Sequence, residues 1–242
     1  GQLGMMLACS LFKLGADVFL YDPDPRSPAK RRYANVMTGG FRDEEALSRF
    51  VAQCDVLTYE FENVEADGLR AVVGDVPIFP SLDVLQTTQH RAAEKRFCQR
   101  AGLPHARFAI AGSADELRAA GRAFGYPHLV KVARGGYDGK GQHRVTDEAS
   151  LDRVATELSA AFDGGFGVVL EELVPFVLEA SCIVARSDTG EEVVFPVFEN
   201  QHEHHVLDVT VVPARVPADV LEALGELALG AARELGVVGL LT

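Results

Sequence analysis

Within twelve consecutive residues, Lys131 to Gln142, the chain sets three cations among four glycines: Lys131, Arg134 and Lys140 alternate with Gly135, Gly136, Gly139 and Gly141. Glycine lets the backbone turn through positive φ and pack closely on a ligand, so successive amides can point at one anion. Lysines on both flanks supply the charge that a polyphosphate needs. Asp138-Gly139 is also a hairpin-turn signal, and a bare turn would explain the glycines. It would not explain the flanking cations, so the stretch reads as a phosphate-binding loop. A short apolar run, Pro127-His128-Leu129-Val130, leads into it as a strand end, and Lys131 projects a cation from that strand just before the loop.

Three further segments carry groups suited to a nucleotide. Glu171-Glu172-Leu173-Val174 follows the apolar strand Phe166 to Leu170; a strand that ends in a carboxylate and then bares its main chain can hydrogen-bond an adenine edge. Glu179 stands just ahead of the strand Ala180 to Ala185, where a carboxylate can grip a ribose hydroxyl pair or simply face water. Glu199-Asn200-Gln201-His202-Glu203-His204-His205 is the densest polar cluster. Imidazoles suit zinc and copper, but the spacing is not HExxH, and the segment reads as a polar loop with one histidine on a nucleotide or substrate. Tyr59-Glu60-Phe61-Glu62-Asn63 closes the third strand of the first unit. In a parallel sheet the crevice beyond the strand ends is the usual ligand site, which places Glu60, Glu62 and Asn63 to read a polar substrate; a solvated loop is the other reading.

The elements that must hold these groups change rhythm along the chain. Leu3, Met6, Leu7, Ser10, Leu11 and Leu14 carry a helical period stopped by Gly15. Strands are expected at Ala16–Tyr21, Asn35–Thr38 and Asp55–Tyr59, with helices at 44–53 and 66–73 between and after them, which implies a parallel sheet with helices on its faces. From Ser81 onward, helices at 81–86, 90–101, 114–124, 147–162 and 217–235 alternate with strands near Val130 and at 142–145, 165–170, 180–185 and 192–197. Ser113 is the expected cap of the 114–124 helix. The expectation is an α/β N-terminal domain at 1–88, then an incomplete α+β fold in two subdomains, 89–168 with the glycine-rich loop and 169–242.

Composition bounds the rest. The 242 residues carry a formal net charge of −12, which argues against a nonspecific nucleic-acid binder. No apolar run approaches the ~20 residues of a membrane helix. Cys9, Cys54, Cys98 and Cys182 form no CxxC pair, so free thiols in a reducing cytoplasm are the expectation. The chain opens on Gly1-Gln2-Leu3-Gly4 without an initiator Met and stops in the strand-like Gly236 to Thr242, which reads as a portion of a longer protein.

Five segments together resemble the 5-(carboxyamino)imidazole ribonucleotide synthases, ATP-grasp enzymes of purine biosynthesis: Gly1 to Gly4, Tyr59 to Asn63, Gln89 through Lys95, Lys131 to Gln142, and Glu199 to His202. The resemblance implies that ATP phosphorylates bicarbonate to carboxyphosphate, whose carbon dioxide is captured by the amine of 5-aminoimidazole ribonucleotide. Carried over by position, Arg91 and Lys131 meet ATP phosphates or base. Gly136, Tyr137, Asp138, Gly139, Lys140, Gly141 and Gln142 form a lid loop. Glu171, Glu172, Leu173 and Val174 are the adenine hinge, Glu179 holds the ribose, and His202 lies at the nucleotide. Tyr137, Asp138 and Lys140 are the candidates for the reacting end: Lys140 to stabilise developing negative charge, Asp138 to orient or deprotonate the amine. Gly1, Gln2, Leu3, Glu60 and Asn63 are the candidates for the ribonucleotide.

The resemblance also implies Mg2+, a cytoplasmic enzyme and a homodimer, with no nucleic-acid or membrane partner. Family members carry their metal-binding carboxylates past the position of Thr242, so no metal ligand is expected in this chain, and residues 1–242 alone are expected not to turn over at a normal rate. Two departures stand out: Met5 where the family has Arg, and His90 where it has Asp. The competing readings are a sister ATP-grasp ligase, such as the formate-dependent glycinamide ribonucleotide transformylase or a biotin-carboxylase-like protein, and a nucleotide-binding module without catalysis.

Overall fold

A computed structural model of the chain describes residues 1–136 and 139–242. It divides into two compact units, Gly1–Leu85 and Gln86–Thr242.

In the first unit, α1 (Gln2–Lys13) ends as its sequence demands. Gly15, at φ +83°, follows the cap Leu14. Its N–H reaches the Phe12 carbonyl (3.1 Å) while Ala16 N–H reaches Leu11 (3.2 Å), the paired bonds of a Schellman motif. The helix buries its small side, Gly4 and Ala8, and leaves Leu3, Met6 and Leu7 exposed. Strands β1 (Leu20–Asp22) and β2 (Val36–Thr38) pair in parallel, Leu20 opposite Val36. Helices α2 (Glu44–Val51), α3 (Ala66–Val72) and α4 (Leu82–Thr88) follow. The Asp43 side chain caps α2 by accepting from Ala46 N–H at 3.0 Å. Val64, Ala66, Leu82 and Leu85 form a small core with Phe41, Tyr59, Leu69 and Ile78 against it.

The expected third strand, Asp55–Tyr59, contracts to one parallel bridge, Leu57 with Ile78. Its two bonds run from Leu57 N–H to Pro77 O and from Phe79 N–H to Leu57 O. Pro77 and Pro80 flank that partner run and have no N–H to extend a ladder.

The second unit begins with α5 (Arg91–Arg100) and continues through β3 (Phe108–Ala111), α6 (Ala114–Phe124), β4 (His128–Val132), β5 (Gln142–Val145), α7 (Glu148–Glu157), α8 (Ser159–Asp163) and β6 (Val168–Glu172). The four strands form one antiparallel sheet in the order β3-β6-β4-β5. Ser113 caps α6 through Glu116 N–H (3.1 Å). Asp147 and Ser150 form a reciprocal capping box at α7. Leu117, Val130, Val145, Leu151, Val154, Val168 and Leu170 close the core beneath those helices. The helix expected over 147–162 breaks at Leu158, which leaves helical geometry with its side chain in that core.

The remaining strands make two small antiparallel sheets. In one, β7 (Glu179–Ser181) and β11 (Val206–Val211) flank β10 (Phe198–Glu203). In the other, β9 (Glu192–Val194) and β12 (Gly239–Leu241) flank β8 (Val184–Arg186). The strand expected at 180–185 is therefore divided between two sheets. Helix α9 (Ala218–Glu234) matches the expected long helix. Arg186 ties down its C-terminal end by donating to the carbonyls of Ala232 (3.2 Å) and Val237 (3.0 Å).

The expected polar loop at 199–205 is instead strand β10 and a tight turn. Its polar side chains pair across strands: Asn200 Nδ2 donates to Ser181 Oγ (2.8 Å), and Thr210 Oγ1 donates to Asn200 Oδ1 (3.2 Å). Such cross-strand pairs stabilise a sheet without any apolar alternation in the sequence.

Candidate functional site

The glycine-rich segment is the connection between antiparallel β4 and β5. Arg91, at the start of α5, fastens its base. Its main-chain N–H donates to Ala133 O (2.8 Å), and its guanidinium donates to Val132 O and Gly136 O, each at 3.2 Å. Two glycines are sterically required. At Gly141 (φ +75°) a Cβ would stand 2.5 Å from Val132 Cγ2, and at Gly139 (φ +75°) it would stand 2.7 Å from the His205 ring. The loop thus approaches the turn between β10 and β11. Lys140 and Gln142 lie in the described part of this segment. Tyr137 and Asp138, two of the three candidates for the reacting end, lie outside the described residues.

Beneath the loop base, strands β4 and β6 place Lys131 and Glu171 on one side. Lys131 Nζ donates to Glu171 Oε2 at 2.7 Å, and Lys95 Nζ from α5 lies 3.3 Å from Oε1. Burial by itself would raise the Glu171 carboxyl. The hydrogen bond and charge of Lys131, then those of Lys95, outweigh it and hold the group below its ordinary value. The acid is therefore ionised and shared between two cations.

At the end of β6, Glu172 turns away from this cluster and bonds Arg107: its Oε1 accepts from Arg107 N–H (2.8 Å) and its own N–H donates to Arg107 O (3.0 Å). Leu173 and Val174 then leave the sheet exposed. Further along, Glu179 on β7 and His202 on β10 meet, Oε2 to Nδ1 at 2.9 Å. The structure therefore joins three pairs of candidates, Lys131 with Glu171, Arg91 with Gly136 and Glu179 with His202.

In the first unit, the main chain at Gly1 sits beside the Asp22 carboxylate, with Glu60 Oε1 3.9 Å away. A Cβ at Gly4 would stand 3.2 Å from the same Glu60 oxygen. Gly1 and Glu60 are thus neighbours across α1. Asn63 Nδ2 donates to Glu62 Oε1 (2.9 Å).

One group of the Lys131–Glu171 cluster is not among the residues the sequence singles out. Lys95 was reachable, because it lies four residues after Arg91 and so on the same helical face. Glu199 is not open to a ligand: Arg215 takes both of its oxygens, through N–H to Oε2 (3.1 Å), Nε to Oε2 (3.0 Å) and a short contact of Nη2 to Oε1. Nothing in the sequence signals that pairing across sixteen residues. His90, at the N-cap position of α5, makes no side-chain cap bond, and its Nδ1 is buried without a hydrogen-bond partner.

A four-stranded antiparallel sheet with a glycine-rich hairpin, followed by a second strand layer and a long helix, defines a class. Residues 96–242 match the family model of the ATP-grasp domain and residues 1–89 that of the ribonucleotide synthetase preATP-grasp domain. The chain belongs to the ATP-grasp family. Within it, the chain is 36% identical over 239 residues to the N5-carboxyaminoimidazole ribonucleotide synthase of Bacillus subtilis, covering 99% of this chain and 62% of that one. Among solved structures it is similar to the ADP complex of an N5-carboxyaminoimidazole ribonucleotide synthetase (TM-score 0.90, 34% identity, 99% of this chain and 62% of that one). It is also similar to the Aspergillus clavatus carboxyaminoimidazole ribonucleotide synthase complexed with ATP (TM-score 0.88, 30% identity, 99% and 62%). The chain thus spans about three fifths of the length of these relatives. No helix among the described residues is long and apolar enough to cross a membrane.

Proposed function

We propose that this chain carries the nucleotide site of an ATP-dependent ligase that carboxylates 5-aminoimidazole ribonucleotide with bicarbonate. The observation that carries the reading is the match of 99% of the chain to synthases of that one name. The close packing of the loop on β4 is consistent with it, since a side chain at Gly141 would collide with Val132. When bound, ATP supplies the phosphoryl group that activates bicarbonate. Lys131 neutralises phosphate charge from β4, and the loop of Gly136 to Gln142 serves the same anion as a lid. Arg91 serves this end by holding the β4 side of the loop through the carbonyls of Val132, Ala133 and Gly136. Leu173 and Val174 present main-chain groups to the adenine edge, beside Glu171 and Glu172, and Glu179, oriented by His202, takes the ribose hydroxyls. Lys140 serves the carboxyl-transfer step, where a cation stabilises developing negative charge, and Tyr137 and Asp138 are assigned to the same step through the resemblance. Gly1, Gln2, Leu3, Glu60 and Asn63 hold the ribonucleotide.

Magnesium, a cytoplasmic location and a homodimer belong to the same proposal through the resemblance. Among the described residues no group of three or more His, Cys, Asp or Glu side chains is placed to hold a metal ion, and no step here runs through one. The test is a coupled ADP-release assay on the protein as its gene encodes it. Release that requires both bicarbonate and aminoimidazole ribonucleotide is the expected result. Release that requires formate and glycinamide ribonucleotide overturns the reading in favour of the transformylase, and nucleotide binding with no substrate-dependent release overturns it in favour of a non-catalytic module.

A further inference from the structure

Lys131 is the cation nearest the glycine loop on β4, yet in this structure it is bonded to a carboxylate. The side chains of Lys131 and Glu171 are 20% and 9% exposed, so water screens the pair weakly. A lysine and a carboxylate alone would form a neutral pair, with little attraction for an incoming phosphate. The third member changes the sum. Lys95, whose side chain is 17% exposed, brings a second cation to the other oxygen of Glu171, so these three side chains sum to one positive charge, with Arg91 and Glu94 as further charged groups beside them.

The elements fix this arrangement. Arg91 and Lys95 are one helical turn apart on α5. The Arg91 guanidinium is already committed to the carbonyls of Val132 and Gly136, which orients that face of α5 toward the β4–β5 connection. Lys95 is thereby held against the end of β6. A lysine ammonium has three donors, so Lys131 can keep its bond to Glu171 and still donate to a phosphate oxygen. What it needs for that is charge not already cancelled by Glu171.

We infer that Lys95 is a positioning residue for nucleotide binding: by engaging Glu171 from the α5 side, it leaves the Lys131 charge available to the polyphosphate. This rests on the nucleotide-site reading above and adds to it a residue that acts through Glu171.

The experiment is calorimetric titration of the protein as its gene encodes it with ATP, with a thermal melt of each variant. Lys95→Met should weaken binding about ten-fold, and Lys95→Arg, which keeps the charge, should stay within about two-fold of the unsubstituted chain. The double variant Lys95→Met/Glu171→Gln should recover at least half of the logarithmic loss, because removing the carboxylate frees Lys131 again. A merely structural Lys95 would lower the melting temperature and give no such second-site recovery. Binding by Lys95→Met within two-fold of the unsubstituted chain overturns the inference, as does an equal loss in Lys95→Arg or a double variant no better than the single. If Lys95→Met does not fold, Lys95→Gln carries the same comparison. Failure of the unsubstituted protein to bind ATP overturns the nucleotide-site reading and this inference together, whereas binding without recovery overturns only the inference.

Discussion

Glu171 and Glu199 are both buried carboxylates in the second unit, and they are neutralised in different ways. Glu171 sits between two lysines, each a single point of charge on a flexible stem. Glu199 is gripped by the planar fork of Arg215 together with the Arg215 main-chain N–H. Glu192 repeats the second pattern, with Arg186 Nε at 2.9 Å and Arg233 Nε at 2.9 and 3.1 Å. A guanidinium fork spends several donors on one partner in a fixed geometry, whereas an ammonium keeps donors to spare. The arginine sites therefore read as clamps: Glu199 ties β10 to the segment before α9, and Glu192 ties β9 to β8 and the end of α9. The lysine site reads as a charge that a ligand can share.

The largest effect that would break this contrast is at Lys131. Lys131→Met should weaken nucleotide binding about 100-fold, since removing one partner of a charge pair formed across a binding interface, here the ammonium against phosphate, costs roughly 2–5 kcal/mol and each ~1.4 kcal/mol is ten-fold. Its melting temperature should fall little, because Lys95 still neutralises Glu171. Calorimetric titration with ATP beside a thermal melt measures both. A large loss of stability with affinity retained would put Lys131 among the clamps. The converse holds for Arg215→Ala and Arg233→Ala. Each should lower the melting temperature by several degrees and leave nucleotide affinity within about two-fold. An affinity loss as large as that of Lys131→Met would remove the distinction.

Acid should separate the two kinds of site further. The Arg233 hydrogen bonds, with those of Arg186, hold Glu192 at about 2, and the Arg215 hydrogen bonds hold Glu199 at about 2. Both folded values lie below that of an unfolded glutamate, near ~4.3. Their contribution to stability is therefore complete above that value and is lost as pH falls toward 2. Melting temperature followed from pH 6 to pH 2.5 (roughly the span of that loss) should decline below about 4.5, and Glu192→Gln should flatten the decline. An unchanged slope in Glu192→Gln would mean that the clamp contributes nothing measurable.

What was legible in the sequence follows from how far each interaction reaches. Ser113 and Gly15 announced their helix ends because a cap bonds within three or four residues of itself. The glycine loop was legible for a similar reason: its cations and glycines are contiguous, and a side chain at Gly141 has no room. The third strand of the first unit was overestimated, because its length depends on a partner run bracketed by Pro77 and Pro80, twenty residues away. Strand β10 reads as a loop in the sequence because its polar residues are satisfied by Ser181, Thr210 and Arg215, on other elements altogether. Lys95 lay in plain view at helical spacing from Arg91, but its worth depends on Glu171, seventy-six positions on and legible only once β6 lies beside α5.

The smallest effect concerns the strand that the Glu199 clamp holds. Its far end turns through His204 and His205, with φ of 50° and 66°, before β11 begins. A two-residue hairpin turn with both φ positive favours Asn-Gly, and a left-handed residue with a Cβ costs roughly 1–2 kcal/mol. His205 nevertheless lies where a side chain at Gly139 would stand, so this turn meets the glycine loop. Replacing His204-His205 by Asn-Gly should stabilise the chain by about 1 kcal/mol, read as a higher urea midpoint at unchanged slope. If the His205 contact orders the loop, the same variant should also weaken nucleotide binding while Arg215→Ala does not, which would make one end of β10 a clamp and the other a support for the cradle. A variant that gains stability and keeps its affinity would leave the turn as strain without a role, and the contrast between fixed and shareable sites would then rest on the carboxylates alone.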